Sequence, residues 1–122
     1  MRARFTLSET EWDVMREAMR TELIELAKQQ RIVTYSELAL LPVYIHPGSY
    51  AFSRLLGQVC SDEFEAKQAL LCALVVAKST GMPGAGFFRG LAERGIDTSD
   101  LETCWRSEVE RVFAYWSSNG QL

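Results

Sequence analysis

The side chains able to do nucleophilic chemistry are few. There are three cysteines, Cys60, Cys72 and Cys104, and one histidine, His46. Cys72 draws attention first, because it interrupts an apolar run, Ala69–Ala77, that ends at Lys78 in the glycine- and proline-rich STGMPGAG. A thiol becomes a nucleophile as its thiolate, and a neighbouring imidazole or cation is what lowers its pKa. Cys72 instead stands between two leucines and ALVV. Apolar surroundings disfavour charge and hold the thiol protonated, so Cys72 reads as a buried cysteine that packs. Cys104 falls on an apolar helical stripe and reads the same way. An odd number of cysteines without close pairing argues against a disulfide framework. With one histidine and no C-x-x-C, a zinc site is not expected, nor is any other metal or cofactor. The loop GMPGAG lacks the Lys-Ser/Thr and the glycine spacing of phosphate-binding loops. No paired carboxylates and no Ser/His/Asp set emerge, so the chain is not expected to be an enzyme. His46 precedes Pro47 and reads as a turn residue.

The elements that must position these groups follow from periodicity. The chain is 122 residues long with a net charge of −3 and ordinary apolar and charged fractions, which fits one domain spanning 1–122. Ser8 and Glu11 form a capping box for a helix over 8–30, with Trp12, Met15, Met19, Leu23 and Leu26 on one stripe. Arg31–Val33 is a short strand or extended link. Thr34 and Glu37 cap a second helix, Tyr35–Leu41, which Pro42 ends. PVYIHPG, 42–48, is a loop. Ser49 starts a third helix, Tyr50–Val59, with Ala51, Phe52, Leu55, Leu56 and Val59 apolar, and 61–68 is a polar connector. Leu70–Ala77 reads as a buried strand by length and composition, and the glycine-rich segment after it as a turn or wing. Phe87–Arg94 fits a short strand or a helical turn, stopped by Gly95. Ser99 and Glu102 repeat the capping box for a last helix, whose stripe is Leu101, Cys104, Trp105, Val109, Val112, Phe113 and Trp116. Trp116 with Phe113 and Tyr115 would pack or form an exposed interaction patch.

No segment has the roughly 18 apolar residues of a membrane span and the N-terminus lacks a signal-peptide pattern, so a cytoplasmic protein without membrane contact is expected. Residues 1–60 carry seven basic and seven acidic side chains, and residues 61–122 carry six and nine. A nucleic-acid face would therefore be local and drawn largely from the first half.

Four segments, in order, resemble the C-terminal domain of the O6-alkylguanine-DNA alkyltransferase family. VTYSELA (33–39) looks like that family's helix opening, and SRLLGQV (53–59) is similar to its recognition helix. LLCALVV (70–76) lies where it carries Ile-Pro-Cys-His-Arg-Val-Val, and GAGFFRGL (84–91) where it has Gly-x-Tyr-x-Gly-Gly-Leu. The resemblance covers about 31–91 and implies a winged-helix-like core. The fold class expected is then α+β, a winged-helix-like core with a small sheet, flanked by long N- and C-terminal helices. The family implies that Tyr35 approaches a DNA phosphate, that Arg54 enters the duplex in place of a flipped base, and that Cys72 is the alkyl acceptor. The chain departs from the motif at the chemistry: Leu71, Ala73 and Leu74 stand where the family has proline, histidine and arginine. The 42–48 loop is also about five residues longer. What the resemblance implies is thus a non-catalytic DNA-binding protein, contacting DNA through Tyr35, Ser49, Tyr50, Arg54, Lys78 and Arg89. The alternative for Arg54 is a solvated side chain or an ion pair with Asp62 or Glu63. The alternative for the whole chain is a protein-interaction module, such as a small regulator, antitoxin or immunity-type inhibitor, whose acidic second half meets a basic partner.

Overall fold

Helix α1, Glu9–Lys28, begins where its first free N–H groups find partners. Ser8 Oγ accepts from the Glu11 N–H, and Glu11 Oε1 accepts from the Ser8 N–H at 2.8 Å. Met15, Met19, Leu23, Leu26 and Ala27 are buried, and Trp12 packs half-buried beside them. The helix ends two residues before the expected limit. Gln30 takes a left-handed conformation (φ 57°), the Arg31 N–H bonds back to the Leu26 carbonyl and the Gln30 N–H to Ala27. That is a Schellman closure made without glycine.

The structure is a computed structural model that describes residues 8–40, 50–67 and 69–119. Besides α1 it contains strand β1 (Val33–Thr34), helix α2 (Tyr35–Ala39), helix α3 (Tyr50–Lys67) and a single 3-10 turn (Leu71–Leu74). Strand β2 (Val75–Val76), helix α4 (Ala85–Glu93) and helix α5 (Leu101–Asn119) follow. Among the described residues the architecture is helical with one two-stranded parallel sheet, in which Val33 faces Val75 and Thr34 faces Val76. Strands of two residues are not stable alone. These survive because Val33, Val75 and Val76 are buried and the flanking helices cover them. The α+β class thus holds. None of the helices is long and apolar enough to cross a membrane among the described residues.

Two elements differ from the sequence expectation, and a third settles between the two forms left open for it. The stretch 70–77 is not one strand. Leu71–Leu74 forms the 3-10 turn, with the Ala73 N–H bonded to the Leu70 carbonyl, and only Val75 and Val76 are extended. Leucine and alanine favour helical backbone and β-branched valine favours strands, so the change falls where the composition changes. Helix α3 runs on through the expected connector to Lys67. Of the strand and the helical turn open to it, Phe87–Arg94 takes the helical form: Phe87–Glu93 lie in α4 and Arg94 caps it, with the closure at Gly95 (φ 83°) placing the Ile96 N–H on the Leu91 carbonyl and Ile96 beside Leu91. The pairing seen for 75–76 is parallel, to 33–34, so the segment 69–90 carries no strand–wing hairpin among the described residues.

Helix α5 is capped one residue later than expected. Asp100 Oδ1, not Ser99, accepts from the Thr103 N–H at 3.2 Å, while Ser99 donates its own N–H to Asp97. Its buried face is Cys104, Glu108 and Val112, and Leu101 is exposed. Trp105 Nε1 donates to the Ala73 carbonyl at 2.8 Å and fixes α5 to the 3-10 turn. Phe113, Tyr115 and Trp116 pack half-buried against the main core, so they do not form the exposed patch considered above. A second, smaller core of Leu70, Phe88, Leu91 and Cys104 joins α4 and α5 to the end of α3.

Candidate functional site

Helices α3 and α4 do not close on each other. Between them lies a cleft of about 530 Å³. Its α3 wall is Ser53, Leu56, Gly57, Cys60 and Ser61, at the spacing that puts residues on one helical face. Its α4 wall is Gly86, Phe87, Gly90, Leu91 and Arg94, and its floor includes Leu70 and Cys72. Serines and glycines supply half of the facing positions, so the helices leave space where larger side chains would fill it. Phe88 points the other way, into the second core, with Phe87 edge-on to it at 5.1 Å. The volume falls within the range of small-molecule sites.

Tyr35 stands at one end of the cleft. Its hydroxyl accepts a hydrogen bond from the Gly84 N–H at 2.9 Å, and its ring meets Phe52 edge-on at 6.3 Å. The hydroxyl proton is left to donate to an incoming group. At the other end Arg94 lies over the Phe64 ring, 4.5 Å from its centroid, and donates to the Gly90 carbonyl at 3.3 Å. Its remaining donors are the cleft's cationic group.

Cys72 is not a free thiol. It is joined by a disulfide to Cys60, with the two Cα atoms 5.3 Å apart. Both cysteines are half-buried and both line the cleft. The expectation of unpaired, packed cysteines is corrected for this pair. Extension of α3 past Val59 carries Cys60 to the 3-10 turn, and with a separation of 12 residues the two come together from distant points in the chain. Cys104 is buried as expected, and its thiol is pushed above the ordinary range by burial, with the carboxylates of Glu108 and Asp97 adding to the shift.

Of the six residues expected at a DNA face, four have described side chains, and among these the structure brings only Tyr35 into the cleft. Arg54, Lys78 and Arg89 are exposed and lie outside it. The Arg54 guanidinium sits over the Trp12 ring, 5.7 Å from its centroid, Asp62 pairs with Arg20 at 3.4 Å, and the side chain of Glu63 lies outside the described residues. Lys78 stands close enough to Glu37 to help stabilise its carboxylate. Ser49, His46 and the side chain of Tyr50 lie outside the described residues. Sequence reasoning missed Ser53, Gly57, Cys60 and Ser61, although small residues recurring at i, i+4, i+7 and i+8 were the visible signal. It also missed Phe87 and Arg94, because the sequence leaves their segment open between a strand and a helical turn.

Negative charge gathers elsewhere. A second cavity of about 310 Å³ is bordered by Asp97, Asp100, Thr103, Cys104, Ser107, Glu108 and Arg111. The Glu108 carboxylate, almost fully buried, faces Arg111 Nε at 3.6 Å. Among the described residues no three His, Cys, Asp or Glu side chains are grouped so as to hold a metal ion. Comparison of the chain with protein-family models, with curated proteins and with solved structures finds no match in any of the three.

Proposed function

We propose that this chain is a non-catalytic, alkyltransferase-like nucleic-acid-binding protein, with a winged-helix-like arrangement of α2 and α3, whose α3–α4 cleft accepts an unstacked base. The observation that carries this reading is the cleft itself. It is open, bounded by the aromatic rings of Tyr35 and Phe87, and supplied with Ser53, Ser61 and Arg94 as polar contacts. A base taken out of a stack is read by aromatic or apolar faces and a few hydrogen bonds. Exposed Arg54, Lys78 and Arg89 would supply phosphate contacts around it. The non-catalytic part is supported by Cys72, whose sulfur, bonded to Cys60, has no thiolate to offer an alkyl group.

Fluorescence anisotropy with labelled duplexes, one fully paired and one carrying a single unpaired base, tests this. Three phosphate contacts give a log–log salt slope of about −3, or a loss on the order of 40-fold in affinity between 50 and 200 mM salt. Arg54→Ala should weaken binding to both duplexes alike and flatten that slope. Gly57→Leu, which puts a side chain into the cleft, should remove the preference for the unpaired base. A Cβ at Gly57 meets nothing within 4 Å, so the helix itself tolerates the change. No binding at 50 mM salt would rule the reading out.

One observation favours the second reading, a protein-interaction module. The exposed carboxylates of Asp97, Asp100 and Glu102 lie together around the start of α5 and suit a basic protein partner. Recovery from the native cell of a basic protein whose binding is lost in Asp97→Asn/Glu102→Gln, with no nucleic-acid affinity, would decide for it.

A further inference from the structure

The Cys60–Cys72 bridge is placed differently from a bridge that only braces a core. It forms part of the wall of an open cleft, and both of its cysteines are partly exposed. A disulfide is broken by in-line approach of a thiolate to one sulfur, so access is the first requirement for exchange. The cleft, at about 530 Å³, has room for a small thiol beside the bridge. It also has a fixed cation at its rim. The Arg94 guanidinium is held by the Phe64 ring and the Gly90 carbonyl and keeps further donors for an anion. The described side chains lining this cleft include no carboxylate, so nothing there opposes a negatively charged visitor.

We propose that the cleft is a thiol–disulfide exchange site for small thiols that carry a carboxylate. Arg94 binds the carboxylate and the thiolate attacks the bridge. In the first step the incoming sulfur bonds to one cysteine sulfur, the Cys60–Cys72 bond breaks, and the electron pair leaves on the other cysteine, which takes a proton from water. In the second step another thiolate attacks the incoming sulfur of the mixed disulfide. The small-molecule disulfide departs, and the remaining cysteine leaves as a thiolate and is protonated. Two small thiols are oxidised and the bridge is reduced to two cysteines. The inference depends on the cleft, the bridge and Arg94, and not on nucleic-acid binding.

The test compares two small thiols of opposite charge, 3-mercaptopropionate and cysteamine, on the full-length oxidised chain. Loss of the bridge is followed by acid quenching and mass spectrometry. The rate should be proportional to thiolate concentration and flat in urea below the unfolding transition, because the bridge is reached in the folded protein. Arg94→Gln, a change at an exposed side chain, should slow 3-mercaptopropionate about two- to fivefold relative to cysteamine, the range an exposed ion pair supplies. A rate climbing steeply with urea from zero would mean the bridge opens only by unfolding and would overturn the proposal, with no variant needed. An unchanged ratio of the two thiols in Arg94→Gln would overturn the role of Arg94, and a bridge that neither thiol opens in the folded protein would overturn the site.

Discussion

Reducing the Cys60–Cys72 bridge leaves every side chain in place and changes only the connectivity of the chain. The cross-link spans 12 residues. Closing a loop of about that length removes chain entropy from the unfolded state worth on the order of 3 kcal/mol near room temperature. For a chain of 122 residues the unfolding entropy is about 0.26 kcal/mol/K, so the reduced protein should melt roughly 12 °C lower than the oxidised one. The contacts that α3 and the 3-10 turn make with the cores, through Leu70, Leu71, Leu74 and Phe64, remain in the reduced chain. It should therefore still fold and melt cooperatively. Circular dichroism melts with and without a reductant measure the shift. Thiol titration in denaturant checks the state: one thiol, Cys104, before reduction and three after. The double variant Cys60→Ser/Cys72→Ser should melt near the reduced wild type and ignore the reductant. Coincident melts of the oxidised and reduced wild type, or three titratable thiols before reduction, would refute the reasoning.

Gln30→Gly should raise stability by up to about 1 kcal/mol, because a left-handed residue with a Cβ costs on the order of 1–2 kcal/mol and glycine adopts it freely; urea titration reads the gain, and a loss would contradict it. Trp105→Phe removes the donor to the buried Ala73 carbonyl while keeping most of the ring, and should lower stability by about 1–3 kcal/mol in the same assay. Stability should fall as pH drops below about 4.5. The Thr34 N–H holds the Glu37 carboxyl below its ordinary 4.5, and the Ser99 and Thr103 N–H groups hold Asp97 and Asp100 below 3.8. A lowered folded-state pKa contributes stability that is present above the unfolded value and lost as pH falls through the folded one. Glu37→Gln should flatten the first part of that fall, and a urea midpoint unchanged between pH 5 and pH 3 would contradict the assignment.

Much of the fold was legible because its signals are local. Ser8 with Glu11 and Thr34 with Glu37 announce helix starts by side-chain chemistry alone, and both boxes form. Gly95 announces a helix end, since glycine accepts the left-handed backbone found there. The same closure at Gln30 was hidden because its residue type gives no sign. Asp100 competes with Ser99 for the free N–H groups at the start of α5, and geometry, not spacing, decided for Asp100. Most of the stretch Ala69–Val76 is buried on all sides. A segment without an exposed face shows no period, so strand and turn could not be separated before tertiary structure was known. Gly86 and Gly90 weaken the helical signal of α4, which is held by the burial of Phe88 and Leu91. The cleft was the least legible part. A bridge between Cys60 and Cys72 depends on where α3 ends, and a cavity depends on what two helices fail to fill.

On the proposed reading, the face between α3 and α4 takes up a base. Amide-resolved NMR titration of the oxidised chain with a short single-stranded oligonucleotide tests it most directly. Saturable shifts concentrated on Ser53, Gly57, Gly84, Phe87 and Gly90 are expected. Shifts confined to α5 around Asp97 and Glu102, or none at millimolar oligonucleotide, would contradict it.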